Sequence, residues 1–196
     1  MGAMPCKRHF AAAALLLMPM LAGGCQEAEW PPRVVERRTN EEPAPRELAL
    51  LRAAMLDGHA RARAAVGLPP LIWDEALAAG ARDYARAMAL SERFEHARQP
   101  QGTGHEGENL WTGTRDAYAY DEMFGHWAEE KRAFVNGVTP AFSRTGRWQD
   151  VAHYAQIVWH GTTRIGCAMA TSATDDYLVC RYSPPGNVVG ERAYRS

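Results

Sequence analysis

Two segments between residues 47 and 90 carry apolar residues at helical spacing. In residues 47–66 the apolar side chains recur every three or four positions, and Gly67 with the prolines at 69 and 70 brings the segment to an end. Further on, Asp74 precedes an alanine-rich run that extends to about residue 90, and a carboxylate there suits a helix N-cap. The pattern therefore predicts two helices separated by a short turn.

A third helix is predicted from Asp116, as its N-cap, to about residue 136. One face of it carries a series at i, i+4, i+7 and i+11, made up of Met123, Trp127, Glu130 and Phe134. Glu130 is therefore predicted to point where the apolar residues point, whereas Glu129 lies about 100° away around the helix. The simpler alternative is that Glu130 extends from the edge of the apolar face into water.

The last third of the chain has the pattern of a β-hairpin. Residues 164–170 and 177–182 are predicted strands, and the small polar residues 172–176 between them form the turn. Cys167 and Cys180 lie on the two strands, at positions that can be cross-strand neighbours. A disulfide between them would stabilise the hairpin by about 2–4 kcal/mol. The alternative is two unpaired, buried cysteines.

The first 24 residues have the three parts of a secretory signal. Basic residues at positions 7–9 precede an apolar run over 10–21, which is too short to span a bilayer, and small residues follow it. We expect residues 1–24 to be a signal peptide and the chain to be exported. The small residues directly before Cys25 resemble a bacterial lipobox, although Ala22 stands where leucine is commoner.

The cysteine count favours lipidation of Cys25. If Cys6 leaves with the signal, three cysteines remain, which is an odd number for an oxidising compartment. Lipidation removes the unpaired thiol and leaves Cys167 and Cys180 to pair with each other. The alternative is plain secretion with a free thiol at Cys25.

The composition divides the rest of the chain into a tether, one domain and a short tail. Residues 25–46 are rich in proline and in charges of both signs, which predicts a disordered tether that reaches on the order of 25 Å. Residues 47–190 have the length of one domain, and residues 191–196 form the tail. The formal net charge is −1 and no basic stripe is present, so nucleic acid is not an expected partner.

Three short motifs carry a family resemblance. Residues 107–110 read Gly-Glu-Asn-Leu, residues 153–159 read His-Tyr-Ala-Gln-Ile-Val-Trp, and residues 177–187 end in Ser-Pro-Pro-Gly-Asn. In this order they resemble the signatures of the CAP superfamily, which includes cysteine-rich secretory proteins, antigen-five venom allergens and plant pathogenesis-related proteins. His59 and Arg63 match the His-Asn-x-x-Arg pattern of its first helix, with Ala60 in place of the asparagine. The resemblance implies an α+β fold, a three-layer α-β-α sandwich with a central antiparallel sheet.

The resemblance also implies a cleft lined by two histidines and two glutamates. Motif by motif, it selects Glu108, Glu130 and His153, and it places the second histidine at His96. His105 is nearer to the Gly-Glu-Asn-Leu motif and is the alternative to His96. The choice of Glu130 agrees with the helical-face argument made from the residues alone.

Two imidazoles and two carboxylates around one cleft permit three roles. Neutral imidazoles at His96 and His153 suit zinc or a similar divalent cation, with open positions left for water. The same groups can work as an acid and a base, or they can form a polar network that ties helix to sheet. The sequence has no His-Glu-x-x-His motif and no Gly-x-Ser-x-Gly elbow, so no catalytic residue is assigned.

The favoured hypothesis is a non-enzymatic binding module, either anchored in the cell envelope through its lipidated N-terminus or secreted. Its cleft would take a divalent cation, and its helical grooves a sterol, fatty acid or other apolar ligand, as the resemblance implies. One alternative is a metal-assisted or acid-base hydrolase acting on peptide or envelope polymer. Another is a structural protein at the cell surface, and no protein partner is specified.

Several conspicuous residues are given structural roles. Four tryptophans are expected in the core: Trp73, Trp127, Trp148 and Trp159. Four arginines at helical spacing are expected to be solvated: Arg61, Arg63, Arg82 and Arg86. The motif amides Asn109 and Gln156 are expected to hydrogen-bond the backbone, and His160 to lie in a surface turn.

Overall fold

A computed structural model describes residues 42–100, 102 and 104–195. The predicted signal peptide, Cys25 and most of the predicted tether lie outside the described residues. The helices are α1 (Leu48–Ala64), α2 (Glu75–Ser91), α3 (Tyr120–Glu129) and α4 (Ala152–Ile157). The strands are β1 (Ile72–Trp73), β2 (Gly107–Thr114), β3 (Arg164–Thr171) and β4 (Asp175–Ser183), and two 3-10 turns span Glu130–Arg132 and Trp148–Val151. No helix in this part of the chain is long and apolar enough to cross a bilayer.

The four strands form one sheet between two helical layers. Their order is β1-β3-β4-β2, with β4 antiparallel to both of its neighbours and the two-residue β1 parallel to β3. Helix α2 packs on one face of the sheet, while α1, α3 and α4 pack together on the other side. The predicted three-layer sandwich is confirmed, and the short β1 makes its otherwise antiparallel sheet mixed.

Alternation along β4 divides the apolar residues between the two faces of the sheet. Tyr177 and Val179 join the cluster under α2, whereas Leu178, Cys180 and Tyr182 join the larger cluster on the other face. Successive side chains of a strand point to opposite faces, so one strand supplies both cores. Because β4 is paired on both edges, its register positions residues in both layers.

The first two helices form close to where the sequence predicts them. Asp74 caps α2, since its Oδ1 accepts hydrogen bonds from the N–H groups of Ala76 and Leu77 at 2.9 and 3.2 Å. These bonds come first among the causes that hold the pKa of Asp74 below its usual value. Small residues let α2 approach the sheet closely: a Cβ on Gly166 of β3 would lie 2.1 Å from the backbone nitrogen of Ala78.

Arg63 is buried, and the expectation that it belongs to a solvated face is wrong. Its side chain donates to the carbonyl oxygens of Pro69, Ile157, Trp159 and Thr162 at 2.7–3.1 Å. Burial lowers its pKa to about 10, so the group remains charged at neutral pH. The other three arginines of that set are exposed as expected. Spacing alone does not distinguish Arg63, because its partners come from distant parts of the chain.

Helix α3 is shorter than predicted. Asp116 is not its N-cap, because it has a left-handed backbone (φ 57°) and its N–H donates to Asp176. The helix begins four residues later, where Glu122 accepts from the N–H of Ala119 at 2.6 Å. It ends at Glu129 and continues only as a 3-10 turn, so the predicted end near residue 136 is also wrong.

The predicted hairpin and its disulfide are confirmed. Cys167 of β3 and Cys180 of β4 are register partners, with their Cα atoms 4.1 Å apart, and they form a disulfide. Both cysteines are completely buried beneath the larger cluster. The cross-link therefore joins the two long strands in the middle of the sheet.

The segment before α1 is held to the domain at Ala44, whose N–H donates to the carbonyl of Asp116 at 3.1 Å, and at Arg46. Its guanidinium lies 2.8 Å from the carboxylate of Asp176, a residue that is itself fully buried. Asp176 also accepts from Thr171 and from the N–H of Asp116, at 2.8 and 2.9 Å. Arg46, the last residue assigned to the tether, is thus held by the sheet at the start of β4.

Acid should destabilise this fold through His59. The imidazole is fully buried, and Nδ1 is 2.6 Å from the Met55 carbonyl while Nε2 is 3.0 Å from the Tyr182 hydroxyl. Burial, with a smaller contribution from Arg63, lowers its pKa from 6.5 to about 4 against the opposing effect of the Met55 bond. Between those values the unfolded chain binds the proton and the folded one does not, so stability falls as pH falls.

We expect a loss of about 3 kcal/mol from this group, complete below pH 4 and absent above pH 6.5. Urea unfolding at a series of pH values measures it. In the variant His59→Gln, the free energy of unfolding should depend less steeply on pH between pH 4 and pH 6.5. An equal slope in wild type and variant would show that another group causes the acid sensitivity.

Candidate functional site

A cleft of about 350 Å³ opens at one end of the sheet. Its walls come from the loop before β2, the first residues of β2, the start of α4 and the segment after β4. His96, Glu108 and His153 all line it. Glu130 does not line the cleft itself, but its carboxylate contacts the side chain of His153.

His96 is joined to Glu108. Its Nδ1 lies 2.8 Å from Glu108 Oε1, and the same oxygen accepts the N–H of Ala97 at 2.9 Å. The Glu108 side chain is 4% exposed, whereas that of His96 is 63% exposed. A nearly buried carboxylate therefore holds an imidazole that is open to the cleft.

His153 is joined to Glu130 in the same way. Its Nδ1 lies 2.6 Å from Glu130 Oε1, and Glu130 Oε2 accepts the N–H of Tyr154 at 3.0 Å. The Trp127 ring stacks on the imidazole with centroids 5.9 Å apart. Glu130 is 17% exposed and Glu129 is 63% exposed, so the predicted difference between these neighbours is confirmed.

The two pairs share one pattern. In each, a glutamate accepts a hydrogen bond from the Nδ1 of a histidine and another from the backbone N–H of the residue that follows that histidine. An ionised carboxylate can only accept, so Nδ1 carries the proton and a neutral ring keeps its lone pair on Nε2. This is the arrangement in which outer carboxylates orient histidines that bind metal ions.

The other histidines near this region have different surroundings. His105 lines the cleft, but its Nδ1 faces the Pro100 carbonyl at 3.3 Å, and the histidine hydrogen-bonded to Glu108 is His96. His160 is exposed, and its Nδ1 lies 3.2 Å from the Ala193 carbonyl. The prediction that His160 occupies a surface position is confirmed.

Two motif amides support the cleft wall. Asn109 donates to the carbonyl of His153 at 3.2 Å, so its predicted backbone bond is confirmed. Gln156 accepts the N–H of Gly186 at 2.8 Å and donates to the Thr162 hydroxyl at 3.0 Å, so one of its two bonds is to a side chain. These bonds tie α4 to β2 and to the segment after β4.

Trp148 lies on the rim of the cleft and is 45% exposed. Its predicted place in the core is therefore wrong. Trp127 and Trp159 are buried as expected, and Trp73 is partly buried. Trp148 begins a short 3-10 turn before α4.

Arg181 is part of the site and was not identified from the sequence. Its Nε lies 2.9 Å from Glu108 Oε2, an ion pair without hydrogen-bond alignment, and its Nη1 donates to Glu106 at 2.8 Å. Arg181 and Glu108 are register partners on β4 and β2. Opposite charges at paired positions are the signal, but it becomes visible only once the register is known.

The described residues offer part of a metal site. Among them, no group of three or more His, Cys, Asp or Glu side chains is placed to hold an ion. Besides His105, the two glutamate-bound imidazoles line the cleft, and Asn187, also on its wall, has an Oδ1 without a hydrogen-bond partner in the described part of the chain. The donor set fits a cation that takes its remaining ligands from water or from a bound molecule.

A helix-sheet-helix sandwich with paired glutamates and histidines at one end defines the class of protein, and comparison with known proteins gives the family. Residues 56–182 match the model of the CAP, or cysteine-rich secretory protein, family. The chain belongs to this family.

Its relatives include plant and fungal proteins. Pathogenesis-related protein 1C of Nicotiana tabacum is 36% identical over 140 residues, which cover 71% of this chain and 78% of the relative. Secreted protein RBT4 of Candida albicans is 32% identical over 139 residues, which cover 69% of this chain and 35% of that protein.

Solved structures share the fold at low identity. BmVAL-1 superposes with a TM-score of 0.61 at 23% identity, covering 80% of this chain and 87% of its own. NaASP2, crystallised with Zn²⁺, has a TM-score of 0.59 at 23% identity and covers 78% of this chain and 90% of its own. These likenesses confirm the predicted fold.

Gly107→Ala should disturb the cleft wall. An added Cβ would lie 2.3 Å from Gln156 Oε1, the atom that accepts the N–H of Gly186. We expect a loss of about 1–3 kcal/mol in the free energy of unfolding, measured in urea. Gly80→Ala in α2 is the control, because nothing lies within 4 Å of its Cβ and alanine favours a helix. Equal effects of the two substitutions would contradict the crowding at Gly107.

Proposed function

We propose that this protein is a non-enzymatic binding module whose cleft takes a divalent cation such as Zn²⁺ through His96 and His153. The observation that supports this most is that the Nδ1 of each imidazole is hydrogen-bonded to a glutamate, which leaves Nε2 available for a ligand. Both rings line the same cleft. NaASP2, a protein of the same fold, was crystallised with Zn²⁺, which adds support for this choice of ion.

The chemistry of the donors supports a zinc-like ion. Imidazole nitrogen is a good ligand for zinc and copper, and a site with two protein nitrogens keeps positions open. Glu108 and Glu130 fix the tautomer and orientation of the rings and need not touch the ion themselves. An open position allows a further molecule to complete the coordination, which suits binding.

The alternative is a hydrolase acting on peptide or envelope polymer. The same imidazoles and carboxylates can transfer protons. The described residues that line the cleft include no Ser, Thr, Cys or Lys, so they offer no nucleophile of these types beside the histidines. This favours binding, and a hydrolase would have to use water.

The second part of the proposal is an apolar ligand in a helical groove. A groove of about 260 Å³ lies between α1 and α2, with Leu48, Trp73, Ala78 and Ala168 on its walls. Ligand sites for drug-sized molecules measure about 300–1,000 Å³, so this groove suits a narrow chain such as a fatty acid better than a sterol. Arg52 and Arg82 at the groove can face a carboxylate headgroup.

The third part concerns location. The family is named for secretory proteins, and the Candida albicans relative is called a secreted protein. We propose export with a lipid on Cys25, the alternative being secretion without it. The chain joins the sheet at Arg46, and β2 runs from the cleft to that end, about 20 Å away. If the domain is anchored through the segment before Arg46, the cleft lies at the opposite end of the sheet from the anchor and can face the solvent.

Calorimetric titration of the purified protein with zinc chloride tests the cleft. We expect binding at pH 7.5 and much weaker binding at pH 5, since protonated imidazole cannot ligate. His153→Ala should weaken the affinity for zinc at least about 100-fold. This is more than the loss expected when only a hydrogen-bond partner of a metal-binding histidine is removed. The fold should survive, because the imidazole is partly exposed.

His105→Ala is the matched control and should leave the affinity unchanged, since His105 bonds only a loop carbonyl. The cation site would be excluded if the protein had no affinity for zinc near neutral pH, or if wild type and His153→Ala bound zinc equally. The two histidines and two glutamates would then form only a polar network. Zinc-dependent cleavage of peptide or envelope polymer would favour the hydrolase instead.

Cys25→Ser tests the anchor. Because serine cannot take the lipid at this position, the variant should move from the membrane fraction to the soluble fraction. Immunoblots of the fractions and the mass of the mature N-terminus measure this. A wild-type protein that is already soluble and carries an unmodified Cys25 would exclude the anchor and leave plain secretion.

A further inference from the structure

Arg181 is a nearly buried cation at the cleft end of the sheet. Its side chain is 10% exposed, and its guanidinium carbon lies 5.5 Å from the centre of the Tyr84 ring. A buried charge is costly unless it is paired. Arg181 has two acidic partners, Glu106 at 2.8 Å and Glu108 at 2.9 Å.

Strand pairing fixes the direction of this side chain. Arg181 is opposite Glu108 in the β2–β4 ladder, and paired residues point to the same face of a sheet. The next residue, Tyr182, is fully buried on the other face, where its hydroxyl meets His59. Arg181 is therefore confined to the α2 side, where Glu108 and Tyr84 lie.

The two oxygens of the Glu108 carboxylate have different partners. Oε1 faces His96 and the N–H of Ala97, and Oε2 faces the guanidinium of Arg181. The guanidinium at Oε2 holds the carboxylate with Oε1 toward His96. An ionised carboxylate accepts and does not donate, so His96 supplies the proton of their bond from Nδ1. The position of this carboxylate thus determines which nitrogen of His96 faces outward.

The loop that carries His96 is also tied to this arginine. The Tyr84 hydroxyl, on the ring beneath the guanidinium, donates to the carbonyl of Glu95 at 2.6 Å. Burial, followed by the charges of Glu108 and Glu95, raises the pKa of Tyr84, so the hydroxyl keeps its proton. Arg181 and Tyr84 together hold the residues on both sides of His96.

The second pair provides an internal comparison. Glu130 accepts from His153 and from the N–H of Tyr154 as Glu108 does from His96 and Ala97. In the part of the chain that the structure describes, no arginine or lysine forms an ion pair with Glu130. The two halves of the cleft have the same local pattern, and among the described residues a nearly buried arginine is paired with the glutamate of the His96 half.

We propose that Arg181 is a positioning residue for His96: by pairing with Glu108 it keeps that carboxylate on Nδ1 and leaves Nε2 free to bind a ligand. This deepens the proposed function and rests on it for the nature of the ligand. The tautomer of His96 is a property of the unliganded protein, so it can be tested whether or not the cleft binds a metal.

The experiment compares wild type, Arg181→Gln and Arg181→Lys. The purified full chain is labelled with ¹⁵N-histidine, and proton–nitrogen correlation spectra at pH 8 assign the tautomer of each ring without added metal. In wild type, His96 and His153 should both carry the proton on Nδ1. In Arg181→Gln a substantial fraction of His96 should move to the Nε2–H form while His153 remains unchanged. Arg181→Lys should restore Nδ1–H at His96, because it keeps the charge.

Arg115→Gln is the control for loss of an arginine, since Arg115 is exposed and forms an ion pair with Asp116 just after β2, at the end of that strand opposite the cleft. It should change neither histidine. A wild-type His96 that carries its proton on Nε2 would overturn the proposal even if Arg181→Gln does not fold. An unchanged His96 in Arg181→Gln, or an equal change in both histidines, would also overturn it.

Zinc titration of the same variants separates this inference from the proposed function. Removal of outer partners of metal-binding histidines typically weakens binding about 10–100-fold, and we expect a loss of that size for Arg181→Gln. If wild type binds no zinc but His96 still changes its tautomer in Arg181→Gln, the proposed cation site is wrong and the positioning role stands. If zinc binds equally to wild type and Arg181→Gln, the positioning role is wrong and the cation site stands.

Discussion

The pairing of β4 on both edges and its covering on both faces constrain most of this structure. Each residue of the strand has a fixed direction, because the ladder sets the register and the pleat sets the face. Cys180 points to the α1 side and meets Cys167, whereas Arg181 points to the α2 side and meets Glu108. At the other end, Asp176 holds Arg46. A shift of one residue would exchange the two sets of contacts.

The cleft follows from this constraint together with the burial of two carboxylates. Glu108 and Glu130 are largely removed from water, so each must be satisfied by donors. In both cases the donors are a histidine ring and the next backbone N–H, which fixes the ring and its backbone together. The exposed side of each imidazole is thereby oriented by the protein itself.

The two halves of the cleft differ in how their carboxylates are compensated. Glu108 shares Arg181 with Glu106, while Glu130 is the first residue of a 3-10 turn and the Trp127 ring packs on His153. The first half thus contains an ion pair within the sheet, and the second contains an aromatic ring stacked on the histidine. His96 is the more exposed ring and His153 the more enclosed one, so the two sides of the cleft present different surroundings to a ligand.

The sequence by itself determined the elements with strong periodicity and the residues whose contacts are local. The cap of α2 by Asp74, the hairpin with its disulfide and the greater exposure of Glu129 than of Glu130 all follow from spacing along one element or between neighbouring ones. The family motifs also gave the fold. Tertiary structure alone decided the burial of Arg63 and the pairing of Arg181 with Glu108, because their partners come from distant segments, and it alone showed that Trp148 is exposed. It also moved the start of α3 away from Asp116, whose N–H is bound by Asp176, sixty residues further along the chain. Periodicity indicates which face of a helix or strand is apolar. Whether a buried charge finds a partner depends on which helices and strands pack against each other.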